Sequence, residues 1–97
     1  MPGFWMIRST VTDPEAFAAY AALANPAVQK HGGRFIAFGG QHETREGSDV
    51  PRNVIIEFPT YADAVACYDD PDYQASLVHG HKAMTRELVI VDSEKPA

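Results

Sequence analysis

Ninety-seven residues, 45% apolar and 22% charged, suffice for one compact core but not two, and the balance is unlike that of a disordered segment. A formal charge of −5 leaves no basic face for a phosphate backbone, so nucleic acid is not an expected partner. Cys67 is the single cysteine, which excludes an internal disulfide and a cysteine-rich zinc site; with no basic leader in MPGFWMIRSTV and no apolar run near ~18 residues, a soluble cytoplasmic protein with no membrane partner is expected.

The chain opens on FWMIRSTV, Phe4 to Val11, whose aromatic and β-branched residues predict a strand that is apolar on both faces over its first half. Asp13 then offers an N-cap, Pro14 suits the first helical position and Glu15 suits the positive end of the dipole, so a helix starts there. Its apolar stripe is Phe17, Tyr20, Ala21 and Ala24; Asn25-Pro26 is expected to break or kink it before Val28 carries the stripe on to His31. Gly32-Gly33 ends the helix, RFIAF is a strand, and the extended segment is expected to run on through QHETRE, with Gly39-Gly40 at a bend or bulge.

GSDVPRN is turn chemistry and NVIIEFP is a strand stopped by Pro59, so the two central strands form a hairpin. Thr60 caps YADAVACY, with Tyr61, Ala64, Val65 and Tyr68 as its buried stripe. Asp70-Pro71 opens a further helix with Tyr73, Leu77, His81 and Met84 on one side, and ELVIVDS is the last strand. The expected domain is a single unit, 1–97, with 93–97 a frayed tail.

This order predicts an α+β fold, the ferredoxin-like split βαβ with a βαββαβ sequence, an antiparallel sheet in the order 4-1-3-2, and helices on one face. Trp5, Ile7, Val54, Ile56, Leu88 and Ile90 alternate with Phe4, Met6, Ile55 and Val89, so the open face is apolar as well. A second copy of the chain is the expected cover, giving a homodimer through that face.

The stretch HGGRFIAFGG invites a phosphate-loop reading, but its glycines neither lie between a strand and a following helix nor show the spacing of such loops. Together DPEAFAAY, HGGRFIAFGG, VIIEFPTYADAVACYDDPDYQ and LVIVD resemble the bacterial domain-of-unknown-function family thirteen-thirty, in order and over nearly the whole chain. The distinctive pieces are GGRF-x-x-x-GG and the IEFP-[ST] strand end followed by Y-x-x-P-x-Y-Q. That family is similar to the dimeric α+β barrel proteins, a superfamily that includes antibiotic-biosynthesis monooxygenases, haem-degrading enzymes and muconolactone isomerase-like proteins. The resemblance implies a ferredoxin-like dimer; the family's reaction is unassigned, so it implies no catalytic residue.

The candidate binding residues are Trp5, Arg8, Tyr20, Arg34, Glu57 and His81, with catalytic residues unknown and no cofactor or metal expected. Arg8 and Glu57 lie in neighbouring apolar strands on the open face, where a cross-strand pair or the polar floor of an intersubunit cavity would account for them. On a helix, His79 and His81 stand ~200° apart and do not chelate one metal. His81 shares the apolar side with Leu77 and Met84, whereas His79 falls with Lys82 and Arg86 on the solvated side. His31 suits a helix end, His42 an exposed strand, and Cys67 a buried position. Two functions follow: a dimeric module binding a small hydrophobic or aromatic organic molecule, or, by analogy with the superfamily, a small cofactor-free oxygenase or isomerase with Trp5, Tyr20 and His81 lining its pocket.

Overall fold

Backbone pairing in the computed structural model, which describes residues 1–94, is built around β1 (Gly3–Val11). β1 runs antiparallel to both β3 (Arg52–Phe58) and β4 (Met84–Asp92), and β2 (Arg34–Phe38) completes the edge beside β3, giving the order β2-β3-β1-β4. This is the expected 4-1-3-2 order read from the other edge. β4 begins at Met84, three residues before the predicted ELVIVDS strand, because the preceding helix stops at Ala83.

Three helices cover one face. α1 (Pro14–Lys30) starts as its residues dictate: the Asp13 carboxylate accepts from the Ala16 N–H at 3.1 Å and Pro14 occupies the first turn. The expected break at Asn25-Pro26 does not occur, and the helix runs through Pro26. Proline's lost bond is to the Ala22 carbonyl, and both residues are exposed, so the freed oxygen is left on the solvent side of the helix rather than in the core. Gly32, at φ +78°, closes α1 in a Schellman arrangement, with the Gly33 N–H on the Val28 carbonyl at 2.8 Å and the Gly32 N–H on that of Gln29 at 3.0 Å.

α2 (Tyr61–Asp69) and α3 (Pro71–Ala83) follow two further side-chain caps, Thr60 Oγ1 accepting from Asp63 N–H at 3.0 Å and Asp70 Oδ1 from Asp72 N–H at 2.8 Å. α2 buries Ala64 and Cys67 and leaves Tyr61 exposed, a phase one step round from the expected stripe. β2 stops at Phe38, not in QHETRE, because Gly39 at φ +65° turns the chain and gives its N–H to the Asn53 carbonyl at 3.1 Å. The irregularity inside β2 lies between Phe35 and Ala37, before the glycine pair. Residues 95–97 of the expected tail lie outside the described residues, and Ser93 gives its N–H to the Pro2 carbonyl at 3.0 Å.

The alternation of the strands divides the two faces as expected. Trp5, Ile7, Val54, Ile56 and Phe58 are buried beneath the helices, and Leu88 and Ile90 pack against them. On the opposite face, Ala37, Ile55, Met6 and Val89 form one cross-strand row. Met6 and Val89 in that row are 45% and 54% exposed, an apolar surface that no element among the described residues covers.

Candidate functional site

Beneath α1 the helices and sheet do not fully close. A cavity of about 60 Å³ remains, bordered by α1 through Phe17, Tyr20, Ala21, Ala24, Asn25 and Val28, and by the helix-facing residues of all four strands. The bulge in β2 shapes its mouth: Phe35 and Phe38 stand opposite Ile56 and Val54, both helix-facing, although they are three positions apart. Their rings meet at 4.8 Å and remain partly exposed at the sheet edge.

The polar end of this cleft comes from one row of the sheet. Ser9 stands opposite Arg52 on β3 and Arg86 on β4, so two arginines flank a fully buried serine on the face that bears Trp5 and Ile7. Arg86 reaches into the layer under α1, where Nη1 donates to the Tyr20 hydroxyl at 3.2 Å and Nη2 to that of Tyr73 at 2.8 Å. The two hydroxyls are themselves 2.8 Å apart. Arg52 lies across the entrance, its guanidinium 4.9 Å from the Phe17 ring centroid and 5.4 Å from that of Phe38, so it spans α1 and β2 by cation–π contact.

The protonation states follow from these surroundings. Burial pushes the Tyr73 phenol well above its ordinary range, so it stays a neutral hydroxyl. Burial also pulls Arg52 downward, with Arg86 adding to that and Tyr20 opposing it; for Arg86 the burial cost is outweighed by the two phenols and the net shift is upward. Both remain cations at neutral pH. The site therefore presents positive charge and hydroxyl groups on apolar walls.

Two of the sequence candidates border this cleft. Trp5 gives its indole N–H to the Ala64 carbonyl at 2.9 Å and packs on Tyr73 at 4.9 Å, so only its apolar surface faces the cavity. Tyr20 stands on the wall as part of the Arg86 cluster. The other four lie elsewhere. The expected Arg8–Glu57 pair does not form: both are on the open face, but Arg8 is opposite Asn53 and Glu57 opposite Phe4, about 13 Å further along the strands. Arg8 instead donates to Asn53 Oδ1 at 3.1 Å and to the Ser48 carbonyl at 2.7 Å, while Glu57 pairs with Arg34 at 2.6 Å.

His81 is exposed and His79 half-buried, the reverse of expectation. The buried line of α3 is Tyr73, Ser76, Leu77, Gly80 and Ala83, and His81 stands one step, ~100°, beyond it. The other two expected histidines differ less: His31 Nε2 meets Asp70 Oδ2 at 2.7 Å beside the end of α1, and His42 is exposed in the segment after β2. Arg52, Arg86 and Ser9 were not among the sequence candidates. Their signal was parity: Ser9 is in step with Trp5 and Ile7, Arg52 with Val54 and Ile56, and Arg86 with Leu88 and Ile90.

A four-stranded antiparallel sheet in this order, with helices on one face and a cleft between the first helix and the sheet, defines a ferredoxin-like α+β protein. The chain belongs to the family described as a domain of unknown function, DUF1330, whose model matches residues 2–93. No curated protein matches. Among solved structures, a protein of unknown function from Rhodopseudomonas palustris is similar with TM-score 0.78 and 22% identity, over 98% of this chain and 84% of that one. The cofactor-independent oxygenase SnoaB from Streptomyces nogalater is similar at 0.63 and 15%, over 98% and 95% of the two chains. A dimeric ferredoxin-like protein of unknown function from Bacteroides fragilis is similar at 0.59 and 10%, over 94% and 95%.

Proposed function

We propose that the protein is a homodimeric module that binds a small aromatic organic molecule in the cleft beneath α1. The observation that carries this reading is the lining of the cleft: apolar walls from α1 and the sheet around a few convergent polar groups, Tyr20, Arg52 and Arg86. At about 60 Å³ it is smaller than a ring requires, so a ligand enters by displacing Phe35 and Phe38 at the partly exposed mouth. The homodimer is supported by the uncovered apolar row of Ile55, Met6 and Val89, and by the dimeric state of the Bacteroides fragilis protein of similar fold.

Trp5, the chain's single tryptophan, borders the cavity and reports on occupancy. A panel of single-ring aromatic compounds is titrated against its fluorescence, excited at long wavelength, with saturation-transfer NMR as the second readout. Binding is expected for at least one compound and is lost in Ala21→Phe, which fills the cleft from α1. Binding that survives in folded Ala21→Phe, or no binding at all, would count against the cleft.

A second reading, a cofactor-independent oxygenase or isomerase, draws support from the hydroxyl–guanidinium cluster on the cleft floor and from the fold shared with SnoaB. It requires turnover as well as binding. Oxygen uptake, or isomerised product, from a compound found in the panel separates it from binding alone.

A further inference from the structure

Arg52 and Arg86 share one end of the cleft without an acid to match them. Among the described residues neither has an Asp or Glu within ion-pair distance, in a chain whose 13 acidic residues outnumber its 8 basic ones. Among the described residues Arg86 donates to phenols, and the half-buried Arg52 rests on aromatic faces. Withdrawing a cation from water is costly unless an anion accompanies it, so two half-buried arginines on either side of Ser9 in one row of the sheet leave a demand for negative charge.

Counting hydrogen-bond donors leads to the same place. Arg86 donates to both phenols and one phenol donates to the other, which leaves one of the two hydroxyl protons unassigned. Tyr73 is fully enclosed and its only acceptor among the described residues is Tyr20, so Tyr73 donates inward. The spare donor is then the Tyr20 hydroxyl, on the cleft wall. Ser9 Oγ, between the two arginines in the same row, is buried and without a hydrogen-bond partner among the described residues.

We propose that the cleft selects an anion, a compact aromatic acid whose carboxylate lies between Arg52 and Arg86 and accepts from Tyr20, with its ring against the apolar walls near Val54 and Phe35. This rests on the small-molecule reading and narrows its ligand to one charge class. The apolar walls favour an acid with a ring over a free inorganic anion, and a guanidinium pair favours the planar, two-oxygen geometry of a carboxylate.

The test uses matched acids and primary amides: benzoate with benzamide, phenylacetate with phenylacetamide, cinnamate with cinnamamide. Each is titrated against Trp5 fluorescence and by calorimetry on the intact protein. At least one acid is expected to bind about tenfold or more tightly than its amide. Arg52→Gln, at the entrance, should weaken the acid about tenfold more than the amide and so abolish that preference; Arg45→Gln, far from the cleft, should leave both unchanged. Should Arg52→Gln fail to fold, the wild-type pH profile decides: affinity for the acid should fall as pH drops through the ligand's own carboxyl pKa, since the arginines do not titrate there. Equal binding of acid and amide, or an acid affinity flat through that pKa, overturns the charge selectivity and leaves the small-molecule reading standing. Failure of every compound to bind overturns both.

Discussion

Gly80 sits where α3 passes α1, and a methyl group there would stand 2.9 Å from Tyr20 Cδ1 and 3.3 Å from Cε1. In an open helix, Gly→Ala adds about 1 kcal/mol of stability. Here the methyl pushes the Tyr20 ring off the Arg86–Tyr73 cluster, so Gly80→Ala is expected to lower the urea midpoint and weaken ligand binding together; a raised midpoint would show that the ring yields freely. Two other side chains set the pH limits. Burial lifts the Cys67 thiol from 9.0 to about 12, so above pH 9 the unfolded chain loses its proton before the native one, and stability falls between pH 9 and 12. Asp70 behaves in the opposite sense, held well below its ordinary 3.8 by Lys30 first, then His31 and the Asp72 N–H. Its contribution is complete above pH 4 and lost as pH falls below that value. Urea midpoints measured across pH should show both limbs, with the alkaline slope reduced in Cys67→Ala and the acid slope reduced in Asp70→Asn. A slope unchanged in either variant would assign that limb to other groups.

Between elements, register decides which charges meet. Since Arg8 and Glu57 sit four residues apart along the sheet, a double-mutant cycle of Arg8→Met and Glu57→Leu should be additive within about 0.5 kcal/mol. Arg34 and Glu57 do touch, but Arg34 is largely in solvent, so their coupling should be no more than about 1 kcal/mol; a larger value would mean that a partner surface dries the pair. These charges mark the boundary of what the sequence makes legible. Alternation assigned the correct face to Trp5, Ile7, Val54 and Ile56, and to Arg8 and Glu57 too, because parity is a local property. Which rows of two strands align depends on hairpin geometry, which sequence patterning alone does not give. The caps at Asp13, Thr60 and Asp70 were readable because each is a contact within three residues. Arg86 was placed on the solvated side of a helix because α3 was taken to continue past Ala83; once β4 begins at Met84, the same side chain turns under α1. Two boundaries hid the site: Arg86, which draws Tyr20 and Tyr73 together, was given to the helix, and Arg52 to the GSDVPRN turn although β3 begins at Arg52.

At the scale of the whole molecule, the two faces of the sheet make different demands. The helix side is covered within the chain; the other presents Ile55, Met6 and Val89 in one row, with Phe4 and Val91 in the next, and among the described residues no helix lies over them. Four strands at ~4.8 Å spacing and up to nine residues at ~3.3 Å give a face of roughly 500 Å² in projection. That approaches the ~800 Å² per partner of a standard interface before the edges and loops are counted. A twofold pair meeting there would bury the apolar row and enclose Arg8 and Glu57 at its margins, which accounts for charges on an otherwise apolar face without requiring them to pair. The protein is therefore expected to sediment at twice 10.6 kDa at micromolar concentration. Met6→Lys places a charge at the middle of the row, where it would be buried against its symmetry mate, and should yield a monomer. Thr10→Lys, two residues beyond Arg8 on the same face and at the end of β1, should leave the dimer intact. A wild type that sediments as a folded monomer would reject the interface. A dimer that withstands Met6→Lys would move it to another surface, with the exposed β2 edge at Phe35 and Phe38 the next to be mutated.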